Sequence, residues 1–196
     1  FGARHTDPYS RSGNFASLRE FTKFVVVEEF GGLEPGNLTL DALVAYEESL
    51  NFLHNRMIND EGKLNEGVFE EAKRGEQIFY KPFPKVSNLT CASCHNPKTF
   101  FVDGKQHDVG TGMVIDTPTL RDILITAPYM HDGRFDSLAE VIVYFDKFYE
   151  LALNNNDKTD LIAYLKVIGG GEISKKQEAL PVQLETAVSL AKKTIQ

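Results

Sequence analysis

The stretch LTCASCHNPKTFF, residues 89–101, contains both cysteines of a 196-residue chain, Cys91 and Cys94, with His95 directly after the second. A bridge between thiols three positions apart closes almost no loop, and the stabilisation a disulfide gives grows with the loop it closes. The pair therefore points to chemistry rather than to stapling of the fold.

A CxxCH arrangement has three chemical readings. A structural zinc site needs four ligands, and His5, His54, His107 and His131 show no paired spacing that would supply the rest. A dithiol redox centre expects a strand–helix–strand setting, whereas the flanking segments are patterned as helices. The third is covalent attachment of a c-type haem, in which the thiols add to the two vinyl groups. His95 then lies under the iron as proximal ligand, all three groups on one short helical turn. We take the haem as the main reading.

The rest of the composition sets bounds. Apolar residues make up 42% and charged residues 25% of the chain, near the average for globular proteins. The length suits one domain or one and a half. A net charge of −7 argues against a nucleic-acid partner, which needs a basic stripe. No apolar run approaches the roughly 18 residues of a membrane span. Phe1 rather than Met at the start leads us to expect a removed leader or a longer N-terminal part.

Helical periodicity dominates. Val68, Phe69, Ala72, Ile78 and Phe79 fall on one face, with Gly75 beside them, and predict a helix over 68–79. Ser137 and Glu140 form a capping box ahead of Leu138, Val141, Ile142, Phe145 and Phe148. A further helix is expected from about Lys158 to Ile168, ended by the glycines at 169–171. No strand-like alternation of useful length occurs, so the class expected is all-α.

The chain also repeats itself. TDPYSRSGNFASLRE, residues 6–20, aligns without gaps with TAPYMHDGRFDSLAE, residues 126–140, and eight of fifteen positions are identical. Ser17 and Glu20 repeat the capping box. ALVAYEESL (42–50) resembles DLIAYLKVI (160–168), two residues out of that register. The expected organisation is therefore a helical remnant of one unit at 1–67 and a complete unit with one covalent haem at 68–170. A tail follows at 171–196, with a packing helix marked by Leu184, Val188, Leu190 and Ala191.

A haem iron with one histidine takes its sixth ligand from elsewhere or leaves the position open. Candidates are His107, Met113, Met130 and His131. Met130 lies 35 residues after His95, between a stiffening Pro128 and a turning Gly133. His131 beside it is its rival, since imidazole is also a good iron ligand, and only one of two adjacent side chains points at an iron. In the earlier repeat Ser10 and Arg11 stand at these two places, so that unit lacks this ligand.

The motifs CASCH (91–95), HDVGTG (107–112), DTPTLR (116–121) and TAPYMHDGRFDSLAEVI (126–142) together resemble the C-terminal haem domain of bacterial di-haem cytochrome c peroxidases and their MauG-like relatives. The resemblance is strong over 69–168 and weaker before it. It implies a cytochrome c fold in which the helix of Gly75 and Phe79 crosses the last helix near Leu161 and Tyr164. It implies His95 as proximal and Met130 as distal ligand of a haem that receives electrons. Arg121 in TPTLRD reads as a candidate charge-assisted donor to a haem propionate, with an exposed helix cation the alternative. The resemblance also implies haem attachment outside the cytoplasm, hence a periplasmic place, and a redox protein or companion subunit as partner. Calcium between two such domains is a further implication, though no acidic cluster lets its ligands be placed. Peroxide chemistry in that family belongs to an N-terminal haem whose attachment motif is absent from this sequence. The reading is thus a mono-haem electron carrier; the alternative is the electron-receiving part of a di-haem peroxidase or MauG-like oxidase. The sequon at Asn88 reads as a plain loop.

Overall fold

A computed structural model describes residues 2–170; the tail at 171–196, with its expected packing helix, lies outside the described residues. Among the described residues, six α-helices carry the architecture: α1 Leu18–Phe24, α2 Asn37–Ser49, α3 Glu70–Phe79, α4 Cys91–Cys94, α5 Leu138–Phe148 and α6 Asn155–Ile168. A turn of π-helix, Val25–Glu29, continues α1.

The crossing of α3 over α6 organises the second unit. A Cβ placed on Gly75 would lie 2.0 Å from the Asp160 carbonyl oxygen and 2.7 Å from Tyr164 Cβ. Only a residue without a side chain lets the two backbones approach so closely. Around that contact Phe79 and Tyr164 pack with ring centroids 5.1 Å apart. Arg74 closes its edge with two bonds to Asp160, of 2.7 and 2.8 Å. Phe101, Ile142, Leu161 and Ile168 complete the core on this frame.

Side-chain caps set the helix starts. Ser137 Oγ accepts from the Glu140 amide at 3.3 Å, and Glu140 Oε2 accepts from the Ser137 amide at 2.9 Å, the capping box expected. The last helix begins earlier than expected, because Asn154 and Asp157 cap each other at 3.0 Å in both directions. At Ser17 the expected box is not made: no side-chain cap bond is present there.

Two short strands, β1 Gln106–His107 and β2 Ile115–Asp116, pair antiparallel around the HDVGTG loop. The fold is helix-rich, as the all-α expectation has it, with this one small sheet added among the described residues. Two residues per strand are too few for alternation to register in the sequence.

The internal repeat is a repeat in space. Bridges Tyr9–Phe15 and Tyr129–Phe135 close the same turn, each after a cis X-Pro bond, with Ser10 at φ 78° and Met130 at φ 70° in corresponding left-handed positions. Short 3-10 turns, Ala3–His5 and Ile123–Ile125, precede both. Leu18 and Leu138, at matching places in α1 and α5, are both buried. The expected boundary at 67/68 is not a boundary of the core. Ile58 is buried in the same cluster as Phe79 and Tyr164, and Leu64 packs against it.

Candidate haem site

The helix α4 is one turn, capped by Thr90, whose amide donates to Ser93 Oγ at 2.9 Å. The His95 amide closes the turn onto the Cys91 carbonyl at 3.0 Å, and at φ −92°, ψ 71° the chain leaves the helix there. Cys91, Cys94 and His95 thereby all line one cavity of about 470 Å³, within the range of small-molecule and cofactor sites.

The chain then returns beneath the histidine. Phe100 and Phe101 both take left-handed backbone, φ 57° and 63°, and the Phe101 carbonyl lies 3.1 Å from His95 Nδ1. An Nδ1–H donating there leaves the Nε2 lone pair free to bind a metal. Burial lowers the pKa of His95, opposed by the Phe101 carbonyl and by Asp103. The imidazole is therefore held neutral, the form that binds a metal.

The thiols are shifted the other way from a redox dithiol. Burial pushes Cys91 up to about 12, and burial followed by Asp103 raises Cys94; reactive pairs need lowered values. Nor is a zinc site of both thiols assembled. Among the described residues the group of potential ligands is Cys94, Asp103 and His107, within 4.8 Å of one another, without Cys91. His107 Nε2 and Asp103 Oδ2 are already paired at 2.7 Å. No acidic cluster suited to calcium occurs among the described residues.

The turn after Pro128 brings both Met130 and His131 to the cavity. His131 Nδ1 is closed off from solvent with no hydrogen-bond partner. Met113 is half exposed and does not line the cavity, whereas His107 does.

Arg121 packs against the segment between the units. Its guanidinium lies 5.4 Å over the Phe52 ring and donates from Nη2 to the Leu53 carbonyl at 3.2 Å. It does not line the cavity, though its neighbours Thr119 and Leu120 do, and its Nε is closed off from solvent without a hydrogen-bond partner. Burial lowers its pKa, opposed by Asp122.

Among the wall residues that sequence reasoning missed are Ser10 and Arg11 from the first unit, and Asp116. The repeat carried the signal for the first two, since they align with Met130 and His131. The cavity fits a haem on chemical grounds. Two thiols and a neutral imidazole sit together on a wall otherwise rich in Leu, Ile and Phe. Two orphaned buried polar atoms, His131 Nδ1 and Asp116 Oδ1, also stand there.

Residues 70–172, more than half of the chain, match the family model for di-haem cytochrome c peroxidase. The chain belongs to the di-haem cytochrome c peroxidase family. Membership implies c-type haem binding and a haem-based redox role. The chain is 28% identical to hydrazine synthase subunit gamma of Kuenenia stuttgartiensis, over 67% of its own length and 49% of that protein's. It is 26% identical to the methylamine utilization protein MauG of Methylophilus methylotrophus, covering 59% of itself and 42% of that protein. Cytochrome-c peroxidase IdrP2 of Pseudomonas sp. strain SCT is 29% identical over 65% of this chain and 38% of that one. The chain thus spans half or less of the length of these relatives. Two solved structures share its fold. Kuenenia stuttgartiensis hydrazine synthase has a TM-score of 0.67 at 24% identity, covering 85% of this chain and 69% of that one. A MauG-like protein associated with microbial copper homeostasis has a TM-score of 0.59 at 19% identity, with 83% and 68% covered. No helix among the described residues is long and apolar enough to cross a membrane.

Proposed function

We propose that this member of the family carries single electrons through one covalent c-type haem, outside the cytoplasm, in exchange with a redox protein or companion subunit. The reading rests on one observation: Cys91, Cys94, His95 and Met130 all open onto the same apolar cavity. Cys91 and Cys94 tether the group, His95 binds it through Nε2, and Phe101 fixes the ring by its carbonyl. A haem held in this way supplies one-electron exchange at its iron. Met130 would complete the set of residues holding the group, and a thioether there would favour the reduced metal and a high potential. A side chain held there would also keep other small ligands away.

Met130→Ala should lower the midpoint potential and open the metal. The optical spectrum of the reduced protein with and without carbon monoxide tests this: no change in the wild type and a rapid shift in the variant. If the wild type shifts at once, the closed site is wrong. If the variant leaves the spectrum and the potential unchanged, the ligand is His131.

A second reading is favoured by the first unit. Its α2 presents Leu43 and Tyr46 at 37% and 39% exposure, whereas the aligned Leu161 and Tyr164 of α6 are covered by α3 and are 5% and 0% exposed. The chain also spans half or less of its relatives. On that reading it is the electron-receiving part of a two-haem peroxidase or MauG-like oxidase whose catalytic haem lies outside this sequence. The haem count of native material separates the two: one per particle supports the carrier, two the enzyme.

A further inference from the structure

Asp116 ends β2 on the wall of the haem cavity, where the first unit meets the second. Its amide donates to the Arg11 carbonyl at 3.1 Å, and a Cβ on Gly13 would stand 3.3 Å from its own Cβ. Its Oδ1 is closed off from solvent and has no hydrogen-bond partner. An ionised carboxylate in such a place carries a desolvation cost that a neutral acid avoids.

The charged groups around it do little to relieve that cost. Asp103, from the loop before β1, and Asp7, from the first unit's turn, both repel a negative charge at Asp116. His107 of β1 pulls the other way, but its Nε2 is committed to Asp103. Arg11 shares the cavity wall and is the remaining cation there. The residue is nevertheless only half-buried, so a proton can leave it for water.

We propose that Asp116 releases a proton whenever the haem site gives up an electron and takes one back when it is reduced, so that the chain moves a proton together with each electron. The inference rests on the haem reading above. When one electron leaves for the redox partner, the Asp116 O–H bond breaks, the proton passes to solvent, and the carboxylate left behind offsets the positive charge gained at the metal. The return of an electron reverses each change. Burial pushes the carboxyl up to about 6, helped by Asp103 and Asp7 and opposed by a Thr117 backbone bond and His107, which puts this exchange near neutral pH.

The test is the midpoint potential of the haem-loaded protein against pH, followed by absorbance, for the wild type and for Asp116→Asn and Asp116→Glu. Well below the carboxyl's pKa in either redox state the group is neutral throughout, and the potential is high and flat. Well above both values it is ionised throughout, and the potential is lower and flat. Between them the wild-type potential should fall as pH rises, by up to about 59 mV per tenfold drop in proton activity for a one-electron couple. Asp116→Asn should remove the fall and stay at the upper plateau, and Asp116→Glu should restore the fall. In the infrared redox-difference spectrum, a protonated-carboxyl band present in the reduced wild type should vanish in Asp116→Asn. A flat wild-type profile, or the same fall in the Asn variant, overturns the proposal while leaving the haem reading intact. A colourless protein with no covalent mass addition overturns both.

Discussion

Phe101 serves the site in two separate ways. Its carbonyl meets His95 Nδ1 at 3.1 Å, and its ring, fully buried, packs in the core with Phe79. Phe101→Ala removes the ring and keeps the carbonyl. It should cost about 3–5 kcal/mol of stability, the usual penalty for a large cavity in a core. The absorption bands that report the axial ligands should stay in place. Denaturant unfolding and the reduced spectrum of the same sample check both halves; a spectral change would mean that the ring itself positions the histidine. At this scale the sequence was legible where chemistry lives in side-chain spacing, as at Cys91, Cys94 and His95. Phe101 was not legible, because any residue type offers a carbonyl. The protein partners of Arg121 were not legible for a related reason: Phe52 and Leu53 are distant in sequence, and no local pattern names them.

At the scale of elements, the α3–α6 crossing depends on the absence of a side chain at Gly75. Gly75→Ala would set a methyl group against the backbone of Asp160, and backbone yields less readily than a side-chain tip. The helices must move apart, at a cost of about 3 kcal/mol, and thermal unfolding should show the loss. Arg74, through its hydrogen bonds, holds the Asp160 carboxyl below its ordinary value. A carboxyl with a depressed value adds stability above its unfolded pKa and loses it as pH falls through the folded one. The wild type should therefore lose stability below about pH 4, and Asp160→Asn should be less stable at neutral pH with a weaker acid dependence. If the two proteins show the same dependence between neutral and acid pH, the ion pair contributes nothing. The element ends show what was readable. Ser137 with Glu140 spelled out its cap, while Asn154 with Asp157 makes the same reciprocal bonds with an acid one methylene shorter than the usual pattern. Ser17 with Glu20 spells the same pattern and makes no cap, so the residues permit the box without enforcing it.

Over the whole molecule, the segment from Phe52 to Ile58 binds the repeated units together. The Leu53 amide donates to Asp122 Oδ2 at 3.0 Å, and Arg121 reaches back to the Leu53 carbonyl. Asn55 Nδ2 donates to the carbonyls of Val167 and Ile168 at 2.7 and 3.2 Å. Those are among the last carbonyls of α6, which no later turn of the helix can satisfy. A side chain from between the units thus closes the helix on which the second unit's core is built. Asn55→Ala leaves two buried acceptors without that donor and should cost about 2–3 kcal/mol. The manner of the loss carries the argument. If the units fold as one, far-UV circular dichroism and the haem absorbance must melt together in the wild type, and must shift down together in the variant. Coincident transitions by different probes are the mark of a single cooperative unit. If the two signals separate, with the haem band holding while part of the helical signal goes first, the first unit is only docked on the second. The repeat in the sequence could not decide between these, because it records how the units are alike and not what joins them.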